Sequence, residues 1–248
     1  MATGAGALHP HNLELLGKEG AEALKELRIL IVGVGGLGSF AALELAYLGA
    51  GRLMLVDNDR VSPSNLNRQV LYGASDVGKS KVLVAAKKLR QINPALEVEA
   101  FDARLTKANG AYLVERADVV FDCTDNFESK RLLNLLCYKK RKPLISGAVG
   151  GWEGWVATFP FHKEDESVPC LECLFPGDLE TLREISEISG PTLVTTVAAV
   201  ANFQVTELLK LLTQKGETLE GKTLIVDTKN YQCVPVRLTK NPSCSVCS

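Results

Sequence analysis

The chain has 248 residues, with 28 Lys plus Arg, 29 Asp plus Glu and a formal net charge of −1. That length allows one or two ordinary domains and a core that needs no covalent staples. A composition of 46% hydrophobic and 23% charged residues is globular and excludes disorder and collagen-like repeats. The near-zero charge argues against a surface built to coat nucleic acid or anionic membrane.

Met1 to Gly17 holds no Lys or Arg, and His9, Pro10, His11, Asn12 and Glu14 interrupt its apolar residues, so no secretory signal is expected. Leu13 to Leu27 fits a short amphipathic helix. Arg28 to Val32 reads as a buried strand, since helices on both faces of a parallel sheet remove the apolar–polar alternation. Gly33 to Gly38 is a glycine-rich turn, Ser39 to Leu48 a helix stopped by Gly49 to Gly51, and Arg52 to Val56 a second strand. Lys79 to Ile92 is expected to be helical, Leu96 to Phe101 a strand, Ala117 to Phe121 a buried strand, Phe127 to Lys140 a helix and Pro143 to Ser146 a strand. Such alternation predicts an α/β protein with a Rossmann-like, doubly wound, mostly parallel sheet. Beyond Gly147 the pattern changes. Trp155 to Phe159, Leu224 to Asp227 and Cys233 to Leu238 read as strands, the last two as a hairpin-like pair, which predicts an antiparallel C-terminal extension. Pro191 to Leu212 is the most apolar late segment, but Asn202, Gln204, Glu207 and Lys210 break it, so a core helix is expected rather than a membrane span. A cytoplasmic location is expected, where clustered cysteines point to metal rather than to disulfides.

Gly33-Val34-Gly35-Gly36-Leu37-Gly38 satisfies G-x-G-x-x-G between a strand and a helix. Glycines there let a phosphate approach backbone N–H groups at the positive end of a helix. Asp57 closes the next strand, where an acid accepts from ribose hydroxyls. The turn alone does not separate a dinucleotide from ATP. Arg68 can clamp phosphate oxygens through its planar fork, and Lys79 or Lys81, cations at a helix start, would be explained by a phosphate partner. Asp122 and Asp125 stand at the end of a parallel strand and could hold Mg²⁺ against phosphates, or Thr124 or Asp125 could simply cap the following helix.

Four of the 7 cysteines form two pairs, Cys170-x-x-Cys173 and Cys244-x-x-Cys247. Two such pairs supply a closed tetrahedral thiolate set suited to zinc; iron in the same cage and a redox disulfide are the other readings. Core packing is expected for Cys123, Cys137 and Cys233.

Together, GVGGLG at Gly33, DNDRVSPSNLNRQ at Asp57, VGKSK at Val77, DCTDN at Asp122, SGAVGGWEG at Ser146 and the paired CxxC resemble the ThiF/MoeB/HesA family, relatives of ubiquitin-activating enzymes. The resemblance runs from about Gly17 to the C-terminus. It implies one adenylation domain over 1–248, with a nucleotide-binding half near 28–147 and a carrier and zinc half near 148–248. It further implies an adenylyltransferase that uses MgATP to activate the C-terminal Gly-Gly carboxylate of a ubiquitin-like sulfur carrier of ThiS or MoaD type. Gly35 and Gly36 would lie against the nucleotide, Asp57 would hold the ribose, and Asn65, Arg68 and Lys81 would bind the phosphates. Asp125 would coordinate Mg²⁺; Cys170, Cys173, Cys244 and Cys247 would bind zinc. Family members are homodimers.

Two departures stand out. Many relatives begin with R-Y-x-R-Q, whose arginine reaches the partner subunit's ATP; the stretch here, GALHPHN from Gly6 to Asn12, has no arginine. Several relatives carry a cysteine after the first CxxC; Gly177 to Thr196 has none, and Glu187 lies near the expected place, so no covalent enzyme–cysteine intermediate is expected there. The first departure motivates an alternative, a non-catalytic carrier- or partner-binding member of the fold. The glycine turn with Asp57 motivates a third reading, an NAD-dependent oxidoreductase.

Overall fold

A computed structural model of the chain describes residues 10–163, 165, 167–177 and 191–248. Helix α1 (Pro10–Glu26) bends at Gly17, whose φ of 75° breaks the helical path. Alternation of β1 (Arg28–Val32), α2 (Gly36–Leu48), β2 (Arg52–Val56), α3 (Lys81–Ile92), β3 (Glu97–Phe101), α4 (Lys107–Arg116), β4 (Val119–Asp122), α5 (Phe127–Lys140) and β5 (Leu144–Gly150) follows. Strand β6 (Glu153–Phe159), a single turn α6 (Leu171–Leu174), the long helix α7 (Val194–Thr213), β7 (Lys222–Asp227) and β8 (Gln232–Arg237) complete the described chain.

The described strands form one eight-stranded sheet in the order β3-β2-β1-β4-β5-β6-β7-β8. Strands β1 to β5 pair in parallel, and β5–β6, β6–β7 and β7–β8 pair antiparallel. The expected architecture is therefore present, with the antiparallel part as its C-terminal extension. Side-chain alternation splits the core in two. Ile29 and Ile31 face α1, α2, α3 and α7; Leu30 and Val32 face α4, α5 and α6. The apolar run of β1 is thus buried on both faces, as a covered parallel strand must be.

Two features of the sequence take on meaning here. Gln204 and Glu207, which interrupt the apolar late helix, are buried polar anchors rather than solvent-facing residues. Gln204 Nε2 donates to the Asp122 and Ile145 carbonyls at 3.1 and 3.3 Å, and Glu207 accepts from Thr158 Oγ1 and Leu219 N at 2.9 and 2.6 Å. Among the described residues no helix is long and apolar enough to cross a membrane.

Helix α4 was not expected, because Asn109-Gly110 dilutes its pattern. Thr106 starts it by accepting from Asn109 N. Helix α2 begins three residues earlier than expected, so the glycine turn is itself partly helical. The expectation for Cys233 is corrected: it is exposed, because β8 is the edge strand of the sheet among the described residues. Cys123 and Cys137 are buried as expected.

Candidate functional site

Parallel pairing places Val32 beside both Val56 and Asp122, so β1, β2 and β4 end side by side. The sheet order reverses between β1 and β4, and crevices open at such switch points. A cavity of ≈ 900 Å³ lies there.

One end of it is polar. Gly33 has a φ of 85°, a left-handed conformation that favours glycine. A Cβ on Gly38 would stand 1.9 Å from the Gly33 carbonyl oxygen, so only glycine allows α2 to start this close to β1. Gly35 and Gly36 line the cavity at the start of α2, where free N–H groups and the helix dipole favour an anion. Asp57 lines it as well. Its carboxylate accepts from Val34 N at 2.7 Å and from Asp59 N at 2.8 Å. Burial pushes the Asp57 carboxyl up from its ordinary value, against those backbone bonds and the Lys81 charge. Tyr72 Oη donates to the Val34 carbonyl at 2.7 Å and secures the same turn from behind.

Arg68 lines the cavity with its guanidinium bonded to the Ser64 carbonyl and Asn67 Oδ1. Asp125 lines it from the β4–α5 turn, exposed to the cavity. Asn65 and Lys81 are not among the lining residues. Asn65 Oδ1 accepts from Ser62 N at 3.1 Å and caps the one-turn helix Pro63–Asn65. Lys81 is buried, and its ammonium pairs at 2.8 Å with Asp59, which does line the cavity. Lys79 pairs with Asp76 at 3.5 Å.

The expected metal role of Asp122 is corrected. It is fully buried, and its two oxygens accept from Thr124 N, Thr124 Oγ1, Ser146 Oγ and Lys130 Nζ, which leaves no lone pair directed at a cavity ion. Asp122 instead fixes the turn that presents Asp125. The expected caps are corrected too: Asn126, not Thr124 or Asp125, caps α5 by accepting from Ser129 N. The exposed Asp125 carboxylate on the cavity wall fits Mg²⁺, which takes one or two carboxylates and completes its shell with phosphate and water. His11 and His162 do not line the cavity, and His9 lies outside the described residues, as do Gly6 to Leu8 and Glu187.

The other end is apolar, and sequence reasoning missed it. Val149, Trp155, Phe175 and Ile225 line it, with Phe127 beside Phe175. Register puts Trp155, Ile225 and Val234 side by side on β6, β7 and β8. Ile225 and Val234 are 39% and 49% exposed, so an apolar stripe leads from the cavity to the sheet edge. Buried Gln69, behind Gly35, also lines the cavity and has an unpartnered Oε1. Cys123 lines it too, but burial pushes its thiol up and makes it a poor nucleophile.

Away from the cavity, the four paired cysteines converge, with all sulfurs within 4.8 Å of one another. Cys170–Cys244 and Cys173–Cys247 sulfur separations are 3.6 and 3.5 Å. A tetrahedral zinc with Zn–S bonds of about 2.3 Å implies edges of about 3.8 Å, so the set fits such an ion. The cysteines are free of disulfides, and Asn241 N donates to Cys173 Sγ at 3.4 Å, as amides do around thiolates.

Residues 9–246 match the ThiF family. The chain is 38% identical over 229 residues to the molybdopterin-synthase adenylyltransferase of Salmonella typhimurium, covering 92% of this chain and 90% of that protein. It is 37% identical over 236 residues to the sulfur carrier protein adenylyltransferase of Thermus thermophilus, covering 95% and 87%. A crystal structure of Escherichia coli MccB with AMPCPP and selenomethionine MccA superposes with a TM-score of 0.80 at 24% identity, over 94% of this chain and 69% of that one, which shows a shared fold.

Proposed function

The chain belongs to the ThiF family, and from that premise we propose that it is an ATP-dependent adenylyltransferase acting on the C-terminal carboxylate of a ubiquitin-like sulfur carrier ending in Gly-Gly. The observation that carries this reading is one cavity with two chemically different ends, one shaped for phosphates and ribose, the other leading to an uncovered apolar sheet face.

Gly35 and Gly36 would receive phosphates on backbone N–H groups, and Asp57 would accept from the ribose. Arg68 would turn its fork from Ser64 and Asn67 to phosphate oxygens. Lys81, held by Asp59, would add charge from behind, and Asn65 would keep its turn in place for Arg68. A tail oxygen bonds to the α-phosphorus, the bond from that phosphorus to the bridging oxygen breaks, and pyrophosphate leaves. The nucleophile is already ionised at neutral pH, so no general base is needed, and catalysis rests on charge neutralisation and in-line positioning. Mg²⁺ on Asp125 would supply further neutralisation at the phosphates. Zinc on Cys170, Cys173, Cys244 and Cys247 would tie the C-terminal tail to the middle of the chain and contribute to folding.

The carrier would rest on the Trp155–Ile225–Val234 stripe and the open edge of β8, with its extended glycine tail reaching into the cavity. The protein would act as a cytoplasmic homodimer and as a single domain, with the nucleotide half at 28–147 and the carrier half at 148–248. A second reading, a carrier-binding protein without chemistry, is favoured only by the missing arginine in GALHPHN. Carrier-dependent ATP–pyrophosphate exchange separates the two. It is expected in the native protein and to fall by about 10³-fold or more in Asp125→Ala; its absence with every Gly-Gly carrier would leave the second reading standing.

A further inference from the structure

The four-cysteine cluster lies outside the cavity, yet the segment that carries its first pair forms part of the cavity wall. Phe175, two residues beyond Cys173, lines the apolar end. Its ring centroid is 5.2 Å from that of Phe127, edge-on at 69°, and 5.2 Å from that of Trp155 at 47°. The same short segment is fastened to α5 at two more points. Leu171 N donates to Asn134 Oδ1 at 3.0 Å; Arg131 pairs with Glu172 at 2.7 Å and also donates to the Gly177 carbonyl. Trp155 is also met by Lys130, whose ammonium lies 5.4 Å from the ring centroid and is bonded to Asp122 and to the Gly147 carbonyl. Trp155 therefore touches both a buried ammonium of α5, itself bonded to the sheet at Asp122 and Gly147, and an aromatic ring of the cysteine segment.

Helix α6 is a single turn of four residues, too short to hold its own shape. Its fixed points are the thiolate cluster and α5. The polar end of the cavity is held differently, by the ends of β1, β2 and β4 and by the bonds to Asp57 and Asp122, none of which involves residues 170–177.

We propose that Phe175 is a positioning residue through which the four-thiolate cluster fixes the Trp155 indole and so sets the shape of the apolar end, leaving the nucleotide end unaffected. The consequence for a carrier tail rests on the function proposed above; the positioning of Trp155 does not.

The test uses the full chain in a Trp152→Phe background, which leaves Trp155 as the one indole of the two in the sequence. Zinc content, acrylamide quenching of Trp155, calorimetric ATP affinity and exchange kinetics with a MoaD-like Gly-Gly carrier as probe are measured together. Phe175→Ala is expected to keep its zinc and its ATP affinity while Trp155 quenching rises about twofold, since the indole loses one of its two supports. The carrier KM is expected to rise about tenfold with the ATP KM unchanged, and Phe175→Tyr to restore both readouts. Zinc removal by a chelator is expected to raise Trp155 quenching in the same direction. Native quenching in Phe175→Ala or in the chelated protein overturns the proposal, as does an ATP KM that rises as much as the carrier KM. A native protein without carrier-dependent exchange, but with the expected quenching changes, overturns the carrier reading and leaves the positioning of Trp155 in place.

Discussion

The two ends of the cavity are built by different means. At the polar end, the residues that line it leave adjacent parallel strands at their carboxyl ends: Gly33 to Leu37 after β1, Asp57 to Asp59 after β2, Cys123 to Asn126 after β4. Backbone geometry does most of the work there, and the side chains that matter follow their strands by a few residues. At the apolar end, Trp155 and Ile225 come from the middle of antiparallel strands and Phe175 from a loop beside a cysteine pair. Their meeting depends on register and on long-range packing. The first end is thus a local product of the α/β repeat, and the second a product of the whole C-terminal extension. Substitutions should separate them.

The largest effect is expected at Gly38. Its missing side chain leaves room for the Gly33 carbonyl, so Gly38→Ala forces backbone against Cβ at 1.9 Å. Overpacking of this kind should cost about 3 kcal/mol, read as a lower denaturant midpoint, with ATP affinity lost as the turn opens. An unchanged midpoint would show that the turn is not the fixed scaffold described above.

Ile225→Asp addresses the other end. Ile225 is 39% exposed beside the cavity and carries little of the core, so stability should change by less than about 1 kcal/mol. Carrier KM should rise about tenfold or more, because a carboxylate is placed on an apolar docking face, while the ATP KM stays within about twofold. Equal changes in both would mean that the two ends do not act separately.

The smallest effect is a pH dependence confined to the polar end. Burial raises the Asp57 carboxyl above its ordinary range near about 4. On acidification Asp57 takes up its proton earlier than an exposed carboxyl, and ATP affinity by calorimetry should begin to fall above that range as the ribose acceptor is lost. The linked stability has the opposite sign. With the folded pKa above the unfolded one, the folded state binds more protons in that window, so this group's contribution to stability grows as pH falls. Binding of the carrier alone should not follow the same curve.

Legibility in the sequence follows the same division. The glycine turn, Asp57 and Arg68 could be read because the motif is contiguous and its strand–turn–helix context is local. The cysteine pairs could be read because each spacing is complete in itself; their convergence across the sequence between Cys173 and Cys244 needed the fold. The role of Asp122 is not legible because burial does not show in DCTDN: the carboxylate that ends the strand turns inward to Thr124, Ser146 and Lys130, and of the two aspartates only Asp125 faces out. Lys81 and Asn65 lie near the site but are engaged with Asp59 and Ser62. Trp155, Phe175 and Ile225 carry no spacing signal, since antiparallel register brings together residues far apart in sequence. Val234 and Val236 are both exposed on β8, but exposure is not written in the sequence.

Adenylation in the proposed reading requires one cavity to bring a nucleotide and a carrier tail together. Intact-mass spectrometry of a Gly-Gly carrier incubated with the protein and MgATP tests it directly. A carrier heavier by one adenylate is expected, with pyrophosphate released, and no such product when the terminal Gly-Gly is deleted. An unmodified carrier alongside ADP, or a modified carrier that does not need its Gly-Gly end, would contradict it.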